Sequence, residues 1–494
     1  MRIAQAMEAL PQVPARIGRW AWRRVRGLNR WQWLLIVAIT WYVWHFTYTS
    51  LRVHYGMGSS AYDFGLYDQG VWLMSRFKAP FVTLMGRNLF ADHGSLILFF
   101  VVPLYWVVPG AGTLFFLQSV GLAGGAIPVY LLAKRRMGSE PIAALLGILF
   151  LLHPALSWTN LEEFHPDAFL PLLVGFAIYF AIEARWRPFV IFAVLSLLVK
   201  EDVMLVMAPL GVWIALRRDR TIGVVTVIFS MAFFFFDTTM LQQLSGKAFP
   251  NSWRVPFGGP EGLIAEAITR PGNVLTYLLA EGRPWYLWQL TFPFVWLFLR
   301  SPDIAAISAV VVISNVVSNY GYQHQIQYHY TVVALPALAL ATVWGISRLS
   351  SEWRKRALIA ITIATVWSAY LWADLPHGRS EGPRWTPSHP VAMEAQELID
   401  LVPPDAVVSA HYAITAHLTR REQIYMFPNP FATSMYGTHA TLFPEGRRLP
   451  EADEVEYVFI QPLLPDNFVE VWLREQGAFE LYAQNNSWQL WKRR

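Results

Sequence analysis

Tyr62-Asp63-Phe64-Gly65-Leu66-Tyr67-Asp68-Gln69 sets two carboxylates among aromatic rings directly after the first long apolar run of the chain. Arg16, Arg19, Arg23, Arg24, Arg26 and Arg30 precede that run, which spans about 31–50. Basic residues stay on the cytoplasmic side of a membrane, so the run crosses outward and delivers the stretch to the outer face. Asp63 follows Ser59-Ser60 and opens a helical pattern reaching about Ser75. Two roles fit it: a helix cap, for which Asp is favoured, or a carboxylate free to accept a proton. Asp63 and Tyr67, four apart, share a helix face. Asp68 lies about 140° around from Asp63, so the two acids converge only if Asp63 stands at the helix entrance.

Of the 494 residues, 55% are hydrophobic and 15% charged, against about 25% charged in soluble domains. Several apolar runs approach the roughly 20 residues that cross a ~30 Å hydrocarbon core as helix. The chain therefore reads as mainly α, a polytopic transmembrane helical bundle of the cell (inner or plasma) membrane. Its net charge of +5 lies in short basic clusters between spans, a topology signal and no nucleic-acid footprint. The absence of Cys excludes disulfides and thiol chemistry. No small-residue cleavage site follows the first run, which reads as a retained span.

Charge parity orders the rest. Residues 51–111 form a long first outer loop, whose apolar run 96–108 is too short to cross and suits an interfacial or re-entrant helix. Only then does 112–133 run inward and bring Lys134-Arg135-Arg136 to the cytoplasm. The span 141–158 exits, and 168–184 returns to Arg185 and Arg187. Two short halves, 188–199 and 203–216, flank Lys200-Glu201-Asp202 and have basic residues at both ends. They form a hairpin whose turn lies on the outer side, within a protein-lined cavity. The span 221–236 exits to a long loop with amphipathic helices near 261–269 and 273–281. Spans 285–299, 303–318, 330–347 and 357–373 complete about eleven, with the N-terminus cytoplasmic and the C-terminus extracytoplasmic.

The chain thus divides into a basic N-terminus (1–30), a membrane domain (31–373), a Pro-, Gly- and His-rich linker (374–389) and a part of soluble composition (390–494). In the last, a helix over 394–401 and strands over 406–410, 423–427, 456–460, 479–483 and 488–491 predict a small extracytoplasmic α/β domain.

Each further His-plus-acid cluster of the membrane region falls on the same outer side. Asp92 and His93 suit a metal ion or a phosphate, or the polar start of an interfacial helix. Glu163 and Asp167 are four apart, and Glu162 and His165 three apart, so each pair can share a face. Such spacing suits a divalent ion, as it suits a solvated acidic loop. Lys200, Glu201 and Asp202 are costly near hydrocarbon unless functional or mutually paired. Lys200 reads as a phosphate contact or as half of a self-neutralising pair with Glu201. In the loop 320–330, aromatic or His residues alternate with Gln, and His324, His329 and Tyr330 suit sugar and phosphate binding. An interfacial aromatic belt explains the tyrosines but not the two His and three Gln.

These residues resemble a family of bacterial membrane proteins, domain of unknown function 2079, grouped with the GT-C glycosyltransferases. The resemblance covers roughly 55–345 and extends to the C-terminal tail. In that clan an aspartate of the first outer loop is the base or a metal-site acid, and Asp63 occupies its place, with Phe64 where a second acid is usual. Asp68 resembles the acid a few residues on. Asp92-His93-Gly94-Ser95-Leu96 resembles the clan's acid-His-Pro-Pro-Leu segment, with Gly-Ser replacing Pro-Pro, and Asp167 matches a common outer-side acid.

The resemblance implies a GT-C-like bundle moving a sugar from a membrane polyprenyl-phosphate donor to an extracytoplasmic glycan or protein acceptor. Asp63 and Asp68 would be catalytic, and Lys200, Glu201, His324, His329 and Tyr330 would bind substrate. Asp92, His93, Glu163, His165 and Asp167 would hold a divalent metal, Mg or Mn. A transporter or flippase of a lipid-linked or anionic solute also uses buried outer-side charges, but would carry internal repeats, and none is evident. A non-catalytic scaffold leaves the clustering of acids and His unexplained.

Overall fold

Helix α1, Arg30–Val53, contains neither Gly nor Pro and begins with a reciprocal cap: Asn29 Oδ1 accepts from the Trp31 and Gln32 N–H groups, while Gln32 Oε1 accepts from Asn29 N–H. This is a computed structural model, which describes residues 27–245, 252–382, 384, 386–434 and 444–494. The arginines at 16, 19, 23, 24 and 26, expected to hold the N-terminus inside, lie outside those residues.

The chain is mainly helical. After α1 come α2 (Phe64–Ser75), α3 (Ala111–Gly124), α4 (Ala126–Met137), α5 (Glu140–Leu151), α6 (Pro154–Leu161), α7 (Leu170–Ile182), α8 (Trp186–Leu197), α9 (Met204–Arg217) and α10 (Arg220–Ser245). Then follow α11 (Pro260–Thr269), α12 (Pro271–Leu278), α13 (Arg283–Thr291), α14 (Ala309–Val317), α15 (Leu335–Ser347) and α16 (Ser351–Trp372). Among the described residues, three helical segments are long and apolar enough to cross a membrane: Arg30–Gly58, Ala111–Met137 and Arg220–Ser245. The α5–α6 pair, bent by 46°, makes a fourth if it is one span.

Most of the other expected crossings fall on shorter helices, so length and composition do not establish eleven. Proline is one reason. The expected span 285–299 breaks after α13 into two 3₁₀ turns, because Pro293 has no N–H to donate and Val295 and Trp296 take left-handed φ of 48° and 52°. The run 96–108 forms only a 3₁₀ turn, Leu96–Phe100, and one helical turn, Val102–Tyr105.

Burial separates the long helices. α1 and α10 bury few of their residues, whereas α3–α4 is mostly buried, with Leu122, Ala123, Ala126, Leu132 and Ala133 inaccessible to solvent. Gly121 lets the backbone of 168–169 lie against α3; a Cβ there would meet the Ala168 carbonyl oxygen at 2.5 Å. That contact seats the segment leading into α7 against α3.

The C-terminal region forms the expected small sheet. Strands β3 (Val408–Ala410), β4 (Ile424–Met426), β5 (Tyr457–Ile460), β6 (Phe479–Gln484) and β7 (Gln489–Arg493) follow a loop hairpin of β1 (Phe81–Val82) and β2 (Arg87–Asn88). Their order is β4-β3-β5-β7-β6, parallel about β3 and antiparallel about β7. The sheet shares one core with residues 51–111, expected as the first outer loop: Phe64, Val71, Leu84 and Leu89 pack with Ala395, Val408, Ile414 and Leu490. Thr83 clamps the edge, donating to Ile424 O at 2.7 Å and accepting from Ile424 N–H at 2.9 Å.

Candidate functional site

α3 builds the site from below. Its buried Gln118 donates to the carbonyls of Asn160 at 3.0 Å and Glu163 at 2.5 Å and accepts from the His165 N–H at 2.9 Å. One amide thus fixes the backbone on both sides of Phe164. Glu163 is bent into the left-handed region at φ 70°, a conformation that costs a non-glycine residue of order 1–3 kcal/mol. The bend aims its carboxylate at the entrance of α2. There it accepts from Ser60 N–H at 3.0 Å and Phe64 N–H at 2.8 Å, satisfying donors that a helix start leaves open.

Asp63 occupies the cap position of α2 and makes no capping hydrogen bond. Its side chain is 53% exposed, and His165 Nε2 lies 3.7 Å from Oδ1. Partial burial works to raise this carboxyl, but the hydrogen bond and charge of His165 outweigh it and hold it below its ordinary value. His165 is pushed up to about 9: burial opposes its charge, and Glu162 and Asp63 overcome burial. His329 stacks on it with ring centroids 4.0 Å apart. Burial first, then the His165 charge, lowers His329 well below its ordinary value. Positive charge on the stacked pair therefore favours His165 over His329.

Glu162 completes the group, accepting from the His329 N–H at 2.5 Å and lying 3.0 Å from His329 Nδ1. Glu162, His165 and His329 each present a ligand atom within 4.8 Å of the others, the one such group among the described residues. Of the expected metal residues only His165 belongs to it. Glu163 is committed to α2, Asp167 to Lys200, and Asp92 to Arg87. The group fits a divalent cation: the buried His165 Nδ1 has no partner. Two imidazoles and a carboxylate suit Zn or Mn better than Mg, which prefers oxygen.

Lys200, at the turn between α8 and α9, is 3% exposed. It reaches Asp167 at 3.5 Å and Asp202 at 3.9 Å, and its ammonium stands 5.3 Å from the centre of the Tyr330 ring. Arg254 approaches the same ring at 5.7 Å and Tyr320 at 4.5 Å. Glu201 turns instead to the loop, with His93 Nδ1 at 2.9 Å and Gly94 N–H at 3.2 Å. At Gly94, where the resembled motif carries proline, a Cβ would lie 2.7 Å from the Asp237 carboxyl carbon of α10, so that side chain would have to shift.

Two expected residues lie elsewhere. Asp68 is 2% exposed and is no open base. Its oxygens accept from Tyr105 Oη at 2.7 Å and Thr419 Oγ1 at 2.5 Å, bracing the outer loop to the C-terminal region. His324 is buried beside Arg283 and Asn315. Sequence reasoning missed Arg254, a lone arginine in a long loop, and paired Glu162 with His165 without naming it among the metal residues.

Glu163 yields a pH test. Burial first and the Asp63 charge second push it up to about 7, against the pull of the Ser60 and Phe64 N–H groups. The folded state thus binds this proton more tightly than the unfolded chain does. The resulting stabilisation is full below pH 4.5 and is lost as pH rises through about 7. Glu163→Gln should lack this loss, about 3 kcal/mol across the window, while keeping an oxygen for the α2 donors. Denaturation at stepped pH should show wild type falling more steeply; parallel curves would refute the assignment.

No curated protein matches the chain in sequence. In shape it is similar to ArnT from Cupriavidus metallidurans bound to undecaprenyl phosphate, with a TM-score of 0.56 and 13% identity over 92% of this chain and 97% of that one. The apo state of the same protein gives a TM-score of 0.51 and 13% identity over 92% and 98%. At that identity the likeness shows a shared fold, in agreement with the GT-C-like architecture expected from the outer loop. The family model described as predicted membrane protein (DUF2079) matches residues 53–492, from the end of α1 to the last strand, and the chain belongs to that family.

Proposed function

We propose that the protein transfers a sugar from a polyprenyl-phosphate donor to an acceptor hydroxyl on the extracytoplasmic side of the membrane. The observation that carries this reading is the division of labour at α2. Glu163, from a distant segment, does the capping, and Asp63 is left ionised and open beside His165. Asp63 takes the acceptor proton as the acceptor oxygen bonds to the anomeric carbon of the sugar. The bond from that carbon to the phosphate oxygen breaks, and polyprenyl phosphate leaves.

Lys200 and Arg254, converging on Tyr330, bind the departing phosphate and stabilise its charge. Glu162, His165 and His329 would hold a divalent ion, which when bound supplies further positive charge near that phosphate. A lipid-linked donor suits a site on the side of the membrane that nucleotide sugars of the cytosol do not reach. Similarity to a fold solved with undecaprenyl phosphate supports the same class of carrier.

The test is transfer of labelled sugar by purified protein from a panel of polyprenyl-phosphate donors. Turnover with at least one donor is expected. Tight lipid binding with no transfer from any donor, and lipid movement between leaflets instead, would replace the reading with a flippase.

A further inference from the structure

α1 carries exposed apolar side chains at Leu34, Val37, Trp41, Trp44 and Tyr48. Their alternating spacing of three and four places them on one helix face. One turn beyond Tyr48 on that face stands Arg52, exposed, with its guanidinium 5.7 Å from the centre of the Tyr48 ring. At this end of the stripe a cavity of about 330 Å³ opens between α1 and the segment following α16, at the lower end of the size range of small-molecule sites. Trp44 and Tyr48, whose rings stack 5.8 Å apart, form its apolar wall, and His45 and Arg52 lie beside them.

The opposite wall is polar and carries two carboxylates, of which one is ion-paired. Asp374 is ion-paired with Arg384, and Glu381 accepts from the His377 N–H at 2.9 Å. Among the described residues no carboxylate pairs with Arg52. The cavity therefore offers one uncommitted cation next to an aromatic platform, at the head of a stripe about 20 Å long at 1.5 Å per residue. A free anion would use Arg52 and leave the stripe idle. An amphiphile with a negative head uses both.

We infer that this cavity holds the anionic, phosphate-bearing headgroup of a membrane lipid, whose chain lies along the Leu34–Tyr48 stripe. It shares no lining residue with the Asp63–Lys200 site, so the inference stands or falls independently of sugar transfer.

The chain contains no Cys, so Thr49→Cys, on the cavity wall, provides a single reporter thiol. Its reaction with a small neutral maleimide is followed in nanodiscs of phosphatidylglycerol or of phosphatidylcholine with the same acyl chains. Phosphatidylglycerol should slow the reaction about tenfold relative to phosphatidylcholine. Adding Arg52→Gln should remove most of that protection, and Arg52→Lys should restore most of it, as expected for one charge-assisted contact. Equal rates in the two lipids, or protection that survives Arg52→Gln, would overturn the assignment. Full protection by inorganic phosphate in detergent would also overturn it, in favour of a soluble-anion site.

Discussion

Asp63→Asn should leave a folded, lipid-binding protein whose kcat for sugar transfer falls by about 10³-fold, the middle of the range for loss of a general base. The substitution keeps the shape of the side chain and removes its ability to take a proton at neutral pH. A large effect on activity with little effect on stability is the signature sought. Asp63 caps nothing, so its loss should cost the fold less than the ~1 kcal/mol of a typical helix cap. Thermal unfolding and single-turnover transfer on the same preparation separate the two readings. A variant that melts earlier yet keeps its turnover would return Asp63 to a structural role and move the base elsewhere.

Lys200→Met should have two effects that a second substitution can pull apart. Lys200 and Asp167 are both almost fully buried, 3.5 Å apart. Removing the lysine strands a carboxylate without its partner, at a cost of about 3–5 kcal/mol. Lys200→Met with Asp167→Asn removes both charges, and most of that loss should return. Donor affinity should not return, because the phosphate still lacks its buried cation; KM for the lipid donor should stay about 10²-fold raised, the scale of a lost charge-assisted contact. Recovery of wild-type KM in the double variant would show that Lys200 serves Asp167 alone.

The physical basis of what was legible in the sequence differs from element to element. The break between α8 and α9 at Lys200 was readable because three charges between two short apolar halves have few low-cost placements. The strands of the C-terminal sheet were readable from short β-rich segments bounded by turn residues, and β3 to β7 form near the expected positions. The expected count of eleven spans is not established by the helices, since apolar composition does not reveal where proline or a left-handed residue breaks a helix. The role of Glu163 was beyond reach for another reason. Its bonds to Ser60 and Phe64 join positions about a hundred residues apart, and no local spacing encodes them. Asp68 looked like a second site acid because its partner Thr419 lies still farther along the chain. Arg254 carries no local signal at all and enters only because Tyr320 and Tyr330 fold against it.

The core shared by the first outer loop and the C-terminal sheet bears on how the protein is made. Phe64, Leu84 and Leu89 leave the ribosome several hundred residues before Val408, Ile414 and Leu490, against which they pack. Until those arrive, the loop bearing Asp63 lacks half its core, and Gln69 and Thr83 lack their bonds to Glu422 and Ile424. The site is thus finished only after the C-terminal sheet has emerged. A nascent chain that has not yet reached the sheet holds this loop with its apolar side chains uncovered.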